Sequence, residues 1–240
     1  MELSKRLAAV AGMVTEGNVV CDAGCDHGYV SIFLILEKIS PKVIAMDIRS
    51  GPLSRAQEHI RMYGLSDYIE TRLSDGVDKL GTDEADTLIL AGMGGRLMES
   101  ILTRGRAKAL RMKEIILQPQ SELPQFRKFL RKEGFLTCQE NMVFEDGKYY
   151  PMMRVLPGKG EPGEENTDTE LADLYGGLLL SEKHPVLKQY LEFQRQKLLS
   201  LQKELGSAAR LSEKSRKRLK EIERELLLNQ RAIAYFYKRS

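Results

Sequence analysis

Residues 19–29, VVCDAGCDHGY, decide the fold of this 240-residue chain. Their apolar, β-branched start predicts a buried strand that ends at Asp22, and the apolar run from Tyr29 predicts a helix. A glycine-rich turn lies between the two. A strand, a glycine-rich turn and a helix N-terminus in this order are typical of a nucleotide-binding βα unit, although a lone turn of this kind is a weak signal.

Strands and helices alternate outward from this turn. The strands are predicted over residues 19–21, 43–46, 68–73, 87–91, 114–117, 135–142 and 149–156, with the last two joined around the EDG of residues 145–147. The helices are predicted over residues 3–14, 29–38, 51–63, 95–102 and 122–133. This alternation predicts an α/β fold, with a parallel sheet and helices on both of its faces.

Acidic residues indicate which nucleotide the turn serves. Asp47 ends the second strand 23 residues after Gly24, the spacing at which a carboxylate binds the ribose hydroxyls of a nucleoside cofactor. Asp22 and Asp26 lie in or beside the turn, where they would repel the pyrophosphate of a dinucleotide. They suit the ammonium and sulfonium of S-adenosylmethionine instead. For Asp22, a turn or helix-capping carboxylate is the alternative.

The ends of the later strands carry further polar or glycine-rich motifs. Asp75 and Gly76 follow the third strand, where an acid would meet an adenine edge. AGMGG at 91–95 follows the fourth strand and would let a flat substrate lie close to the cofactor, unless it is only a tight turn. QPQ at 118–120 follows the fifth strand; its amides could read a base edge or cap the next helix.

The pattern changes after residue 156. Residues 157–168 are rich in Gly, Pro and acids and predict a linker. Two heptad seams follow, Leu187, Leu191, Gln194, Leu198, Leu201 and Leu205, then Leu219, Ile222, Leu226, Asn229, Ile233 and Phe236. Because residues 206–207 interrupt the run, the seams predict two helices that pair antiparallel as a coiled coil; one continuous, dimerising helix is the alternative. Asn229 could fix the register or face water.

Composition excludes several classes of protein. Apolar residues make up 42% and charged residues 30% of the chain, which excludes a disordered polypeptide. No apolar run approaches the roughly 20 residues of a membrane span. Three cysteines without zinc-ligand spacing favour a reducing, cytoplasmic location and no metal. The net charge is +3, and the whole excess lies in residues 157–240.

Together these motifs resemble one family. The turn at 22–27, Asp47, Asp75-Gly76, AGMGG at 91–95, LQP at 117–119 and EDGKY at 145–149 are similar to the bacterial tRNA (adenine-22-N1)-methyltransferases, the TrmK family. The resemblance covers essentially the whole chain. It implies a seven-stranded, class I Rossmann-like methyltransferase domain, a helical coiled-coil domain, and methyl transfer from S-adenosyl-L-methionine to N1 of adenine 22 in tRNA. We therefore predict a catalytic domain over 1–156 and a tRNA-binding part over 157–240.

Site residues follow from the motifs and the resemblance. Asp26 is the first catalytic candidate, since a carboxylate would stabilise the cationic product or accept a proton, and His27 is the second unless it simply faces solvent. The predicted cofactor-binding residues are Asp22, Gly24, Cys25, Gly28, Asp47, Ile48, Asp75, Gly76, Ala91 and Gly92. The predicted substrate-binding residues are Tyr29, Met93, Gly94, Gly95, Gln118, Pro119, Arg104, Arg106, Arg216 and Lys217.

Three basic clusters suit an RNA partner. Five cations and no acid occur over residues 104–113, four cations over 127–132, and a net +5 over 210–220, although such runs are often only solvated faces. We expect a monomer or weak homodimer. Two other functions stay open, a small-molecule or protein methyltransferase and a non-catalytic RNA-binding protein.

Overall fold

The computed structural model describes residues 1–158, 167–206 and 212–237. The chain divides into two compact units, Met1–Glu164 and Glu165–Ser240. In the first unit the strands are β1 Val20–Ala23, β2 Val43–Asp47, β3 Ile69–Leu73, β4 Thr87–Met93, β5 Glu114–Pro119, β6 Leu136–Glu145 and β7 Lys148–Leu156. Its helices are α1 Lys5–Ala11, α2 Tyr29–Leu36, α3 Ser50–Met62, α4 Gly95–Arg104, α5 Arg106–Ala109 and α6 Leu123–Lys132.

The seven strands form one mixed sheet in the order β3-β2-β1-β4-β5-β7-β6. β1 to β5 are parallel, and the β6–β7 hairpin adds antiparallel to β5. Asp146 and Gly147 turn the hairpin with positive φ angles of 49° and 73°, as a two-residue hairpin turn requires. Every predicted strand is confirmed, and the sheet has the Rossmann-like architecture that the sequence predicts.

The chain reverses its direction of winding between β1 and β4. In the register, Asp22 of β1 lies beside Ala45 of β2 and Ile89 of β4, so the acid is at the centre of the sheet. Buried side chains pack on both faces, with Leu88, Met98 and Phe126 on one and Val10 and Ile32 on the other. Ligands bind parallel sheets at such a reversal, outside the carboxyl ends of the strands.

The second unit contains α7 Thr167–Tyr175, α8 Gly177–Ser181, α9 Pro185–Gly206 and α10 Glu213–Tyr235. The linker prediction was wrong at its end, because residues 167 and 168 already belong to α7; its residues 159–166 lie outside the described residues. The sequence patterns did not predict α7. They also missed α5 and α8, each of which is five residues or fewer and too short to show helical periodicity.

The long helices α9 and α10 contact each other. Leu187, Leu191 and Leu198 of α9 and Ile222 of α10 are buried. Asn229 is completely buried rather than facing water, and its amide donates to the Leu191 carbonyl and to Gln194 Oε1, both at 3.0 Å. A buried amide bonded in this way ties α10 to one register against α9.

Candidate active site and its relatives

A cavity of about 490 Å³ opens at the carboxyl ends of β1, β2 and β4. It brings together thirteen of the residues predicted for cofactor, substrate or catalysis, which come from four separate strand ends. They are Asp22, Gly24, Cys25, Asp26, His27, Tyr29, Asp47, Ile48, Asp75, Gly76, Ala91, Gly92 and Met93. Gly28 is the one predicted cofactor residue outside this lining; it precedes α2 with φ 75° and lies against Ala56.

Gly24 gives the turn after β1 its shape. Its φ is +84°, and its N–H donates to the Met46 carbonyl at 2.7 Å. A Cβ on Gly24 would lie 2.2 Å from Met93 Cε, so any larger residue would displace that methionine from the cavity wall. Glycine is therefore required here both for the backbone conformation and for space.

Asp47 holds the turn and faces the cavity. It is 5% exposed, and its two carboxylate oxygens accept the backbone N–H groups of Asp26 at 3.2 Å and Arg49 at 2.8 Å. Each carboxylate oxygen can accept more than one hydrogen bond. The Asp47 carboxylate is thus fixed in orientation and retains capacity for ligand hydroxyls.

Asp22 is a buried acid at the floor of the cavity. The Ser31 hydroxyl, in the first turn of α2, donates to Asp22 Oδ2 at 2.7 Å. Asp22 therefore also has a structural role at the start of this helix, as the turn or capping alternative predicts. Burial raises the pKa of Asp22 to about 6; the hydrogen bond from Ser31 lowers it, and the charge of Asp47 raises it again. Within the described residues no cation pairs with this carboxyl, which suits it to a cationic ligand group.

The two catalytic candidates lie at the mouth of the cavity. Asp26 has a φ of 49° and an exposed carboxylate, whose Oδ2 is 3.7 Å from His27 Nε2. The His27 ring stacks on Tyr29 at 5.7 Å and on His59 at 6.0 Å. Tyr29 is 41% exposed, so its ring is available to a substrate rather than packed in the core. The sequence missed His59, which reaches this stack from α3, a contact that no local spacing reveals.

An apolar and an acidic residue mark the opposite end of the cavity. Ile48 is 61% exposed, an unusual position for its side chain unless something covers it. Asp75 bonds Arg104 at 2.8 Å, and this partner lowers the pKa of Asp75. Gly76 adopts φ +56° with Ile101 directly against it. This end of the cavity therefore combines an exposed apolar side chain with a carboxylate.

The glycines after β4 divide into two groups. Gly92 lines the cavity with φ +77°. Gly94 and Gly95 lie outside its lining, and a Cβ on Gly95 would come within 2.8 Å of the Ser121 carbonyl. For these two residues the structure supports the alternative of a tight strand-to-helix turn over contact with a substrate.

The prediction for Gln118 and Pro119 needs correction. Both are buried and neither lines the cavity, so Gln118 has no free amide with which to read a base. Instead Gln118 Oε1 accepts from Arg6 Nη1 at 2.9 Å and from the Gly92 N–H at 3.2 Å. Gln120, the third residue of the motif, does line the cavity, and so does Arg6. Sequence reasoning missed Arg6 because its partner is 112 positions away.

Four of the five cations in the basic stretch 104–113 form ion pairs. Arg104 bonds Asp75, Arg106 bonds Glu133, Arg111 bonds Asp83 and Lys113 bonds Asp86. Lys108 donates to two backbone carbonyls. In the second cluster, Arg127 is buried against Glu140 and is not a surface charge. As RNA contacts, Arg104 and Arg106 therefore stay predictions, and each already has an acidic partner.

The third basic stretch is different. Lys214, Arg216, Lys217 and Lys220 are exposed and have no carboxylate partner in the part of the chain that the structure describes. Arg218 is the exception, because it pairs with Glu221 and Glu225. Arg210, predicted in the same cluster, lies outside the described residues.

The described ranges offer neither a metal centre nor a membrane span. No group of three or more His, Cys, Asp or Glu is arranged to hold a metal ion there. None of the helices there combines the length and apolar character that crossing a bilayer requires.

Comparison with known proteins gives the family. A model described as a methyltransferase domain matches residues 3–153. A curated tRNA (adenine(22)-N(1))-methyltransferase of Bacillus subtilis (strain 168) is 31% identical over 222 residues, 92% of this chain and 93% of the relative. This chain belongs to the tRNA (adenine(22)-N(1))-methyltransferase family. The resemblance predicted from the sequence is confirmed.

Solved structures similar to this chain include members of the same family. The crystal structure of the B. subtilis m1A22 tRNA methyltransferase TrmK has a TM-score of 0.81 at 30% identity, and the match covers 97% of this chain and 99% of that one. The crystal structure of the Streptococcus pneumoniae protein Sp1610 in complex with S-adenosyl-L-methionine has a TM-score of 0.82 at 27% identity. This match covers 97% of this chain and 100% of that one.

Proposed function

We propose that this protein transfers a methyl group from S-adenosyl-L-methionine to N1 of adenine 22 in tRNA. Family membership supports this proposal. The single structural observation that carries it is the cavity at the strand reversal, where two buried carboxyls, Asp22 and Asp47, face the same space. That arrangement suits one ligand with hydroxyl groups and a cationic part.

The chemistry of the individual lining residues supports the cofactor proposal. Asp47 would accept the ribose hydroxyls, because its carboxylate is oriented by two backbone amides. Asp22 would accept the ammonium group, because it is buried without a cation among the described residues. Ile48 and Asp75 would contact the base. When bound, the cofactor supplies an electrophilic methyl group on a sulfonium.

The substrate must be drawn into the cavity. Adenine N1 lies on the Watson–Crick edge, which is hidden inside folded tRNA, so exposing it costs a few kcal/mol. The His27–Tyr29–His59 stack at the cavity mouth offers an aromatic surface for an unstacked base. Stacking of this kind contributes about 1–3 kcal/mol per base, which offsets part of the cost.

Asp26 and His27 are the proposed catalytic residues. Methylation at N1 leaves a cationic adenine, so a carboxylate at the cavity mouth stabilises the product and can accept an N6 proton. The exposed Asp26 carboxylate, 3.7 Å from His27, supports both roles. Positioning of the base is the larger part of the work.

We also propose a role for the residues after 156. The buried seam positions and Asn229 support an antiparallel coiled coil of α9 and α10, and the exposed cations Arg216 and Lys217 support contact with tRNA phosphates. Residues 1–156 would then form the catalytic domain and 157–240 the tRNA-binding part. A cytoplasmic location and a monomer or weak homodimer stay predictions.

One experiment separates the candidate functions. Labelled S-adenosyl-L-methionine is incubated with unmodified tRNA transcripts that carry A or G at position 22. We expect label in the A22 transcript only. Equal incorporation into both would refute the target nucleotide. Tight tRNA binding without transfer would favour the non-catalytic RNA-binding protein, and label in a protein or small molecule alone would favour the third candidate.

A further inference from the structure

The guanidinium of Arg6 is a cation in the cavity wall that forms no ion pair among the described residues. Apart from histidines, the described cavity lining contains two cations, Arg6 and Arg49. Arg49 lies 3.8 Å from Asp47. No carboxylate in the described ranges lies within ion-pair distance of the half-buried Arg6 guanidinium. Glu145 is the electrostatic neighbour of this guanidinium, but it lies beyond ion-pair distance and its carboxylate accepts backbone N–H groups instead, so the guanidinium retains donors for a ligand.

The Arg6 guanidinium is held in one orientation. Its Nη1 donates to Gln118 Oε1 at 2.9 Å, and its carbon lies 5.5 Å from the centre of the Tyr150 ring. Gln118 is fully buried and is itself fixed by the Gly92 N–H at 3.2 Å. One of the five N–H donors of Arg6 is thus used by Gln118, and the other donors of the guanidinium fork are open to a ligand.

The backbone of Arg6 is also anchored. The Glu145 carboxylate, at the end of β6, accepts the N–H groups of Lys5 at 2.5 Å and of Arg6 at 3.3 Å. These are free N–H groups in the first turn of α1, which a carboxylate satisfies well. Glu145 therefore fixes the start of α1 to the sheet edge, and with it the position of Arg6.

We propose that Arg6 binds an oxyanion at the cavity mouth, and that Gln118 and Tyr150 are positioning residues for its guanidinium. The anion is either the carboxylate of the cofactor's amino-acid part or a phosphate of the target nucleotide. Both present the paired oxygens that a guanidinium fork binds. The inference rests on the proposed function. It complements the acids of the cavity, which suit the cationic part of the same ligand.

The test compares ligands with and without a carboxylate. S-adenosylhomocysteine and 5′-methylthioadenosine, which lacks the amino-acid part, are titrated calorimetrically into wild type, Arg6→Gln, Arg6→Lys and Gln118→Leu. Binding of unmodified tRNA is measured in parallel on the same proteins. Lys5→Gln is the matched control, because Lys5 is the neighbouring cation and does not line the cavity. Thermal unfolding of each variant checks the fold.

If the anion is the carboxylate, Arg6→Gln weakens the binding of S-adenosylhomocysteine about 10- to 100-fold and leaves the binding of methylthioadenosine unchanged. If it is a phosphate, both ligands are unchanged and tRNA binding weakens about tenfold. Arg6→Lys should retain part of the affinity. Gln118→Leu should weaken binding of the same ligand that Arg6→Gln affects, but by a smaller factor. Equal losses for both small ligands, or no loss for any ligand, would overturn the proposal. The titrations need no turnover, so they remain informative even if methyl transfer at A22 fails.

Discussion

The two compact units use charge in opposite ways. In Met1–Glu164 the two acids proposed for the cofactor, Asp22 and Asp47, are buried, and four of the five cations of the basic stretch 104–113 pair with acids of the same unit. In Glu165–Ser240 the acids pair only some of the cations of α10, and Arg216 and Lys217 stay exposed without a partner among the described residues. Buried charge selects a small ligand, whereas exposed charge attracts a large polyanion.

The largest effect is expected on the cofactor side. Asp47→Ala removes the proposed acceptor of the ribose hydroxyls and the anchor of the Asp26 turn, so S-adenosylhomocysteine should bind about 100-fold more weakly. Calorimetric titration measures this. Asp67→Ala is the matched control, since Asp67 is exposed in the same unit. If Asp47→Ala binds S-adenosylhomocysteine as tightly as wild type, Asp47 does not contact the cofactor. The contrast between buried acids in one unit and exposed cations in the other would then lose one of its two acids.

The next effect belongs to α10. Replacing Arg216 and Lys217 by Glu should weaken tRNA binding about 10- to 100-fold and lower the slope of log affinity against log salt, by at least about 2, without changing cofactor affinity. The matched control reverses Lys197 and Lys203 on α9, which are also exposed. A salt slope equal to that of wild type would refute an RNA role for these two residues.

A smaller effect is expected from pH. The pKa of Asp22, raised by burial to about 6, means that the free protein holds a proton there at pH 5. A cationic ligand favours the carboxylate, so S-adenosylhomocysteine should bind about tenfold more weakly at pH 5 than at pH 7. Because the folded state holds this proton more tightly than the unfolded chain, the contribution of Asp22 to the free energy of unfolding of the unliganded protein falls as pH rises from about 4 to 6. Asp22→Asn should bind S-adenosylhomocysteine weakly at both pH values. If the affinity of this variant depends on pH as steeply as that of wild type, another group causes the effect.

The smallest effect tests the paired cations. Arg106 and Glu133 form a surface pair, at 44% and 39% exposure, so Arg106→Gln should cost at most about 1 kcal/mol of unfolding free energy. Its tRNA affinity should stay within twofold of wild type, because the guanidinium is already engaged. A tenfold loss of tRNA affinity would restore Arg106 as an RNA contact and show that paired cations also serve the partner.

The sequence predicted the sheet and the cavity well because both depend on local patterns. Apolar runs fix the strands, and the glycine turn and Asp47 fall at strand ends that the parallel topology brings to one edge. What it predicted poorly depends on contacts between distant residues. Gln118 supports Arg6 from 112 positions away, and Arg104 meets Asp75 across 29 positions. No periodicity or spacing encodes such pairs, so a run of cations looks the same whether its charges are paired or free.

The identity and position of the product test the central claim most directly. A methyl group on N1 blocks the Watson–Crick edge, so reverse transcription of the treated tRNA should stop beside position 22, and digestion should yield 1-methyladenosine as the labelled nucleoside. A stop at another position, or label in a nucleoside that leaves the Watson–Crick edge open, would contradict the account.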